Sequence, residues 1–239
     1  MQLLKSIHQE ISIDFVFFLA FDVGGSTYLE HMQEQFVFLD NNMRIMINTF
    51  YFLESTKIPF IFASSQMSTM IHSNYGLLKL MGEGLTESLK GLTVTFWNIY
   101  GFESDPDKYH VISDFIRMSF ESNMIQMKTD GQETRDFLYV EDCNEALEIL
   151  MAKYDFFKAE KNIHISSGNR NSIYDVALAV ASVTGAPVEV GLKKDQTQEG
   201  HFKEPSKFIF AHWKPKVTLI EGVRLIAERM KREQVAKNK

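Results

Sequence analysis

The sequence predicts an α/β fold built on a parallel, doubly wound sheet, and three observations carry the prediction. Ile13 to Ala20 (IDFVFFLA), Pro59 to Ser64 (PFIFAS) and Leu92 to Ile99 (LTVTFWNI) are short, nearly continuous apolar runs, as expected of strands covered on both faces. Between them lie longer stretches, about Met32 to Ser55 and Tyr75 to Leu89, whose apolar residues recur at helical spacing. Strand and helix alternate along the chain, which calls for parallel strands joined by crossover helices.

Each element has local punctuation. Val23-Gly24-Gly25-Ser26 breaks the first run, and the helix after it ends before Lys57-Ile58-Pro59, because a proline disfavours helical backbone in the residue before it. The second run ends in Ser64 and Ser65, and Tyr100-Gly101 closes the third. Beyond Gly101 the spacing predicts a helix near Val111 to Phe120, short strands at Ile125 to Met127 and Phe137 to Val140, and a helix from about Glu141 to Lys153. A strand over Asn162 to Ser166, a helix over Ser172 to Thr184 ended by Gly185-Ala186-Pro187, and a last helix from Leu219 to about Arg232 complete the chain. The expected division is a sheet domain over 1–105 and a smaller substrate-binding lobe over 106–239 that returns to the sheet.

Composition excludes several classes. With 239 residues, 45% of them hydrophobic, the chain can bury a substantial core. A net charge of -6 without a dense Lys/Arg block argues against a nucleic-acid partner, and the basic stretch from Arg229 to Lys239 reads as a solvated helix end. The single cysteine, Cys143, rules out an internal disulfide and fits a reducing compartment, so the cytoplasm is the expected location. Phe15 to Phe21 is bounded by Asp14 and Asp22, far short of the roughly 20 apolar residues of a membrane helix. Neither a membrane span nor, from the spacing of the histidines, a metal site is expected.

One short stretch invites a chemical reading. In His72-Ser-Asn-Tyr75-Gly-Leu-Leu-Lys79 a tyrosine and a lysine stand four apart and share a helix face, yet Tyr154 and Lys158 have the same spacing. Context separates the pairs. Tyr75 follows a strand tipped by two serines, whereas Tyr154 follows an amphipathic helix and reads as a helix end with a solvated lysine.

Several segments, in order from residue 14 to residue 222, resemble the NAD-dependent epimerase/dehydratase family, the extended short-chain dehydrogenases that act on nucleotide sugars. They are Asp14-Phe-Val-Phe-Phe-Leu-Ala20 with Val23-Gly24-Gly25, then Phe60-Ile-Phe-Ala-Ser64-Ser65, Tyr75-x-x-x-Lys79 and Trp97-Asn98-Ile99-Tyr100-Gly101. Gly131-Gln-Glu-Thr-Arg135-Asp136 running on to Asp142, Ile165-Ser-Ser-Gly168, and Trp213-Lys-Pro215 running on to Gly222 follow. The resemblance implies a Rossmann-like sheet, NAD or NADP as cofactor, a nucleotide-diphosphate sugar as substrate, and a homodimer packed through the helices at 32–55 and 75–89.

The resemblance also implies roles. Tyr75 would be the acid/base, Lys79 its electrostatic partner and a cofactor ligand, Ser65 the polarising hydroxyl, and Ala20 a cofactor contact. Ser64 and Asn98 would line the sugar pocket, and Arg135 would hold the diphosphate through its planar fork of donors. A structural ion pair with Asp136 or Asp142 is the plain alternative for Arg135. His110 falls where the GDP-fucose synthase branch carries an acid/base histidine, but the cysteine that such enzymes use is Met67 here, which disfavours two-base epimerisation. Gln66 and Met67 stand where dehydratases carry Asp-Glu, which disfavours dehydration. Oxidation and re-reduction at one carbon, or reduction of a keto sugar, is the expected chemistry.

The family's Gly-x-x-Gly-x-x-Gly turn, whose backbone N–H groups cradle the cofactor pyrophosphate, does not occur in these residues. The expectation is a chain lacking the first strands of the fold and unable to hold the cofactor by itself. A non-catalytic remnant that binds a nucleotide sugar or a protein is the alternative reading. The apolar strand at 13–20 would then be an edge, expected to be covered by a complementing chain, a second copy or rearranged N-terminal residues.

Overall fold

A computed structural model describes residues 2–194 and 204–237, with the side chains of 4–194 and 204–236. The last two residues of the basic tail lie outside the described residues. The first half runs α1 (Gln2–Glu10), β1 (Val16–Phe18), α2 (Ser26–Met32), α3 (Phe36–Thr56), β2 (Phe60–Ser65), α4 (Asn74–Ser88), β3 (Leu92–Phe96) and β4 (Asn98–Tyr100). The second runs α5 (Val111–Ser122), β5 (Ile125–Gln126), β6 (Thr134–Tyr139), α6 (Val140–Ala152), α7 (Tyr154–Phe157), β7 (Asn162–Ile165), β8 (Arg170–Ser172), α8 (Ile173–Thr184), β9 (Val188–Glu189) and α9 (Leu219–Lys237).

The main sheet has the order β1-β2-β3-β7 with every pair parallel. Alternation along the strands sends side chains to two different cores. Phe18, Phe60 and Phe62 pack with Phe38, Met46, Phe50 and Leu53 of α3 and Leu78 of α4. Ile61, Leu92, Val94, Ile163 and Ile165 face the other way, onto Cys143, Ala146, Leu147 and Leu150 of α6 and Phe157 of α7. Helices therefore cover both faces, and the fold is α/β and Rossmann-like as expected.

The lobe has its own core, where Ile112, Phe115 and Ile116 of α5 meet Val176 and Val180 of α8 and Val223, Ile226 and Met230 of α9. Its small sheet has the order β4-β6-β8, with β4 parallel and β8 antiparallel to β6. Local chemistry sets the limits of α8: Ser172 and Asp175 form a reciprocal capping box at its start, and Gly185 ends it in the left-handed conformation.

Three elements differ from expectation, each for a backbone reason. The apolar run at 92–99 is two strands, since the chain leaves the main sheet after Phe96 and Asn98 to Tyr100 pairs with β6. Both strands are covered, so apolarity carries no mark of the switch. The first strand is only three residues long because the Leu19 N–H turns back onto Phe17 O at 3.1 Å. Among the described residues β1 is the edge of the main sheet. The long helix starts at Phe36 after a separate α2, with the intervening Gln35 extended. An unanticipated α1 lies against the sheet domain through Leu4, with His8 edge-on to Phe52 at 5.9 Å between ring centres. No described helix is long and apolar enough to cross a membrane.

Two glycines of α4 test the packing. A Cβ at Gly84 would meet nothing within 4 Å, whereas one at Gly82 would come within 2.2 Å of the buried Phe62 ring. Urea denaturation is expected to show Gly84→Ala stabilising by about 0.5–1 kcal/mol through helix propensity. Gly82→Ala should lose about 1–3 kcal/mol to overpacking despite the same propensity gain.

Candidate active site

Parallel strands bring their carboxyl ends to one edge, where ligands of open α/β sheets bind. Ser65 is the last residue of β2, Phe21 and Asn98 follow β1 and β3, and Ser167 follows β7. Ser65 turns the chain into a short 3-10 helix, and its hydroxyl accepts from Met67 N at 3.2 Å. The Gln66 side chain donates to Asn98 Oδ1 at 2.9 Å, which holds Asn98 beside this turn.

Helix α4 presents Tyr75 to the same turn. Ser73 caps it by accepting from Gly76 N at 3.2 Å and is itself tied to Gln33 Oε1 at 2.8 Å. Gly76 is needed for the approach, because a Cβ there would stand 2.3 Å from Met67 O. The Tyr75 phenol stands beside Ser65, whose hydroxyl favours its ionised form. One turn on, Lys79 Nζ donates to Ala63 O at 2.7 Å, and after another turn Glu83 accepts from the Ser64 hydroxyl. Tyr75, Lys79 and Glu83 thus form one stripe at i, i+4 and i+8, facing the end of β2.

The stripe is enclosed. Tyr75 is 8% and Lys79 4% exposed. The Lys79 ammonium lies 3.8 Å from the centre of the Phe21 ring, 5.4 Å from Phe62 and 5.8 Å from Tyr75. Burial pushes the Tyr75 phenol up to about 12, with the Ser65 hydroxyl opposing it. Burial also brings the Lys79 amine down to about 7, against the pull of Glu83. At neutral pH the Tyr75 phenol is protonated.

The other predicted residues sit in different surroundings. His110 precedes α5, where its Nδ1 lies 2.5 Å from Glu103 Oε1 and its backbone N–H donates to Glu103 Oε2 at 3.0 Å. Burial pushes the Glu103 carboxyl up, but hydrogen bonds and charge from His110 outweigh it and leave it below the usual range. His110 is thus engaged by Glu103, not by Ser65, Tyr75 or Lys79. Ala20 is exposed beside Phe21.

Arg135, on β6, donates from Nη1 to Thr134 O at 2.9 Å, and Arg170 Nη2 donates to the same oxygen at 2.9 Å. The two guanidinium groups therefore converge on one carbonyl. Asp136 and Asp142 have other work: Asp136 accepts from Ser167 N at 2.7 Å and Gly168 N at 3.0 Å, and Asp142 from Val217 N at 2.9 Å. Tyr154 lies at the opposite edge of the sheet, near the backbone of Phe60 and Leu92 at the starts of β2 and β3, while Lys158 pairs with Asp155 at 2.9 Å.

Sequence reasoning missed Glu83, Phe21 and Arg170. Glu83 was accessible from helical spacing alone. Phe21 was not, since its role depends on which helix packs over the end of β1.

Residues 2–166 match the model of the NAD dependent epimerase/dehydratase family. The chain belongs to this family. Among curated relatives it is 30% identical over 136 residues to a GDP-L-fucose synthase of Sinorhizobium fredii, covering 53% of this chain and 42% of that protein. It is 29% identical over 169 residues to a putative UDP-glucose 4-epimerase of Methanocaldococcus jannaschii, covering 66% and 53% respectively. The chain spans about half the length of these curated relatives. The fold matches the UDP-glucose 4-epimerase of Thermotoga maritima solved with UDP-glucose, at TM-score 0.79 and 20% identity over 98% of this chain and 82% of that one. It also matches the Bacillus cereus UDP-glucuronic acid 4-epimerase solved with UDP-glucuronic acid and NAD, at TM-score 0.81 and 21% identity over 96% and 78%.

Dependence on NAD(P) is a general property of the family. The centre as placed does not fit a nicotinamide cofactor, because Ala63 O and the rings of Phe21, Phe62 and Tyr75 enclose the Lys79 ammonium. This enclosure has a measurable signature. Lys79 has a folded pKa of about 7 against about 10.4 unfolded, so the unfolded state binds more protons between those values. The stability of the wild type relative to Lys79→Met should therefore rise from pH 7 to 10, by at most about 1.4 kcal/mol per pH unit. Denaturation across that range that shows a constant difference would remove the assignment.

Proposed function

We propose that this chain carries the sugar-handling face of a nucleotide-sugar epimerase or reductase. Ser65 and Tyr75 act together on one oxygen of the sugar, and Arg135 takes the diphosphate. The observation that carries the reading is the buried stripe of Tyr75 and Lys79 set against Ala63 O and Ser65 at the carboxyl edge of a sheet with this family's fold. The nucleotide sugars bound by the Thermotoga maritima and Bacillus cereus enzymes support the ligand class.

The chain's own part is proton handling. Were a reduced nicotinamide to deliver hydride to the carbonyl carbon of a keto sugar, the Tyr75 phenol, protonated at neutral pH, would give its proton to the carbonyl oxygen, with the Ser65 hydroxyl beside that oxygen. The raised pKa favours this reducing direction over proton removal from a sugar hydroxyl. Arg135, with Arg170 beside it, offers planar donors suited to phosphate oxygens.

Calorimetric titration with UDP-glucose and with a GDP-sugar tests the ligand class. Arg135→Ala is expected to weaken binding about 10- to 100-fold, the value of a charge-assisted hydrogen bond. Tyr75→Phe should keep binding but lose about 100-fold or more in turnover, while Tyr154→Phe keeps both. Equal losses at the two tyrosines would sink the assignment of the centre.

We also propose that a second copy of this chain covers the outer faces of α3 and α4, which expose Phe36, Met43, Ile47, Tyr51, Leu77, Leu80 and Met81. Apolar side chains in this density mark an interaction face, and one pair of helices meeting its own copy is self-complementary about a two-fold axis. Light scattering after gel filtration should give a dimer for the wild type and a monomer for Ile47→Glu with Leu80→Glu. A monomeric wild type at micromolar concentration would contradict this.

A further inference from the structure

Glu83 has no part in the proposed chemistry, yet it stands one helical turn beyond Lys79 on the same face of α4. Its carboxylate accepts from the hydroxyl of Ser64, which is only 2% exposed. The Lys79 ammonium meanwhile donates to Ala63 O at 2.7 Å. Two successive residues of β2 therefore hold two successive turns of α4: a carbonyl takes the cation, and a hydroxyl takes the anion. Within this clamp the two charges act on each other through space.

The surroundings of Lys79 give Glu83 its leverage. Along β2, Ala63 O is followed by the uncharged Ser64 and Ser65, and the loop after β1 presents the Phe21 ring. The Asp22 carboxylate beside that ring is taken by the Tyr28 hydroxyl at 2.7 Å and Lys108 Nζ at 2.8 Å. Helix α3 packs into this region through apolar residues such as Phe38, Met46 and Phe50. On α4 itself the titratable neighbours are Tyr75 and Glu83, and Glu83 is the charge that opposes the effect of burial on the lysine. An opposite charge nearby favours the ionised form, and more strongly where water is excluded.

We propose that Glu83 is a positioning residue for the Tyr75–Lys79 pair: bonded to Ser64, its carboxylate is fixed one turn from the lysine and keeps that lysine an ammonium. The charge matters to Tyr75, whose ring centre lies 5.8 Å from Lys79 Nζ. A phenol that gives up its proton leaves a phenolate, which a cation one turn away stabilises and a neutral amine does not. This role rests on the reading of Tyr75 as the group that gives the proton.

Side-chain NMR of the whole chain, isotopically labelled in lysine and glutamate, tests it. The Lys79 Cε and Nζ signals, assigned by their loss in Lys79→Met, should titrate at about pH 7 in the wild type. Glu83→Gln leaves an oxygen for Ser64 to donate to but removes the charge. The Lys79 midpoint is expected to fall by about one pH unit or more, a drop of about tenfold in the ratio of ammonium to amine. Glu87→Gln, which removes an exposed carboxylate paired with Lys161, should leave the midpoint in place.

A role confined to holding α4 against β2 predicts an unmoved midpoint in Glu83→Gln, and that result would overturn the proposal. Unfolding of this variant would show as reaction of the buried Cys143 with a thiol reagent. In that event the wild type decides: the Glu83 Cδ signal should move through the Lys79 midpoint as the facing charge disappears, and a flat signal there would equally overturn the proposal. UDP-glucose plays no part in these titrations, so failure to bind it counts against the nucleotide-sugar reading alone.

Discussion

The contact between the Lys79 ammonium and the Ala63 carbonyl is the constraint around which the centre is arranged. A buried ammonium is costly unless it is paired and hydrogen-bonded. Here a carbonyl 2.7 Å away, the face of Phe21 and the charge of Glu83 share that task. With Lys79 pinned to Ala63 within β2, the helix repeat does the rest: Tyr75, one turn earlier, stands beside Ser65, and Glu83, one turn later, reaches Ser64. The register of α4 on the sheet therefore sets the whole stripe at once.

The lobe is joined to this frame by carboxylates that accept backbone N–H groups. Asp136 on β6 binds the loop after β7 through Ser167 and Gly168, and Asp142 at the start of α6 binds Lys216 and Val217 before α9. Burial holds the Asp136 carboxyl above its ordinary range, although three hydrogen bonds and nearby charge work against that rise. These links leave Arg135, the neighbour of Asp136, to meet Arg170 at Thr134 O.

Family membership and local geometry thus speak to different questions. The family match and the neighbouring structures establish the type of fold, and dependence on NAD(P) is a general property of that family. The side chains show a protonated tyrosine, a serine and a sealed lysine gathered against β2.

The alternating apolar runs and helical stretches were sufficient, by themselves, to determine the fold class, because coverage on both faces removes the polar alternation of a solvent-facing strand. They also determined that Tyr75, and not Tyr154, belongs with the serines, since a strand ending in Ser64-Ser65 before a helix places them at the same edge. Tertiary structure decided the rest. It split the run at 92–99 between two sheets, took His110 to Glu103, set Arg170 beside Arg135, and laid Phe21 over Lys79. None of these could be read along the chain, because each is a contact between segments whose separation in sequence carries no periodic signal.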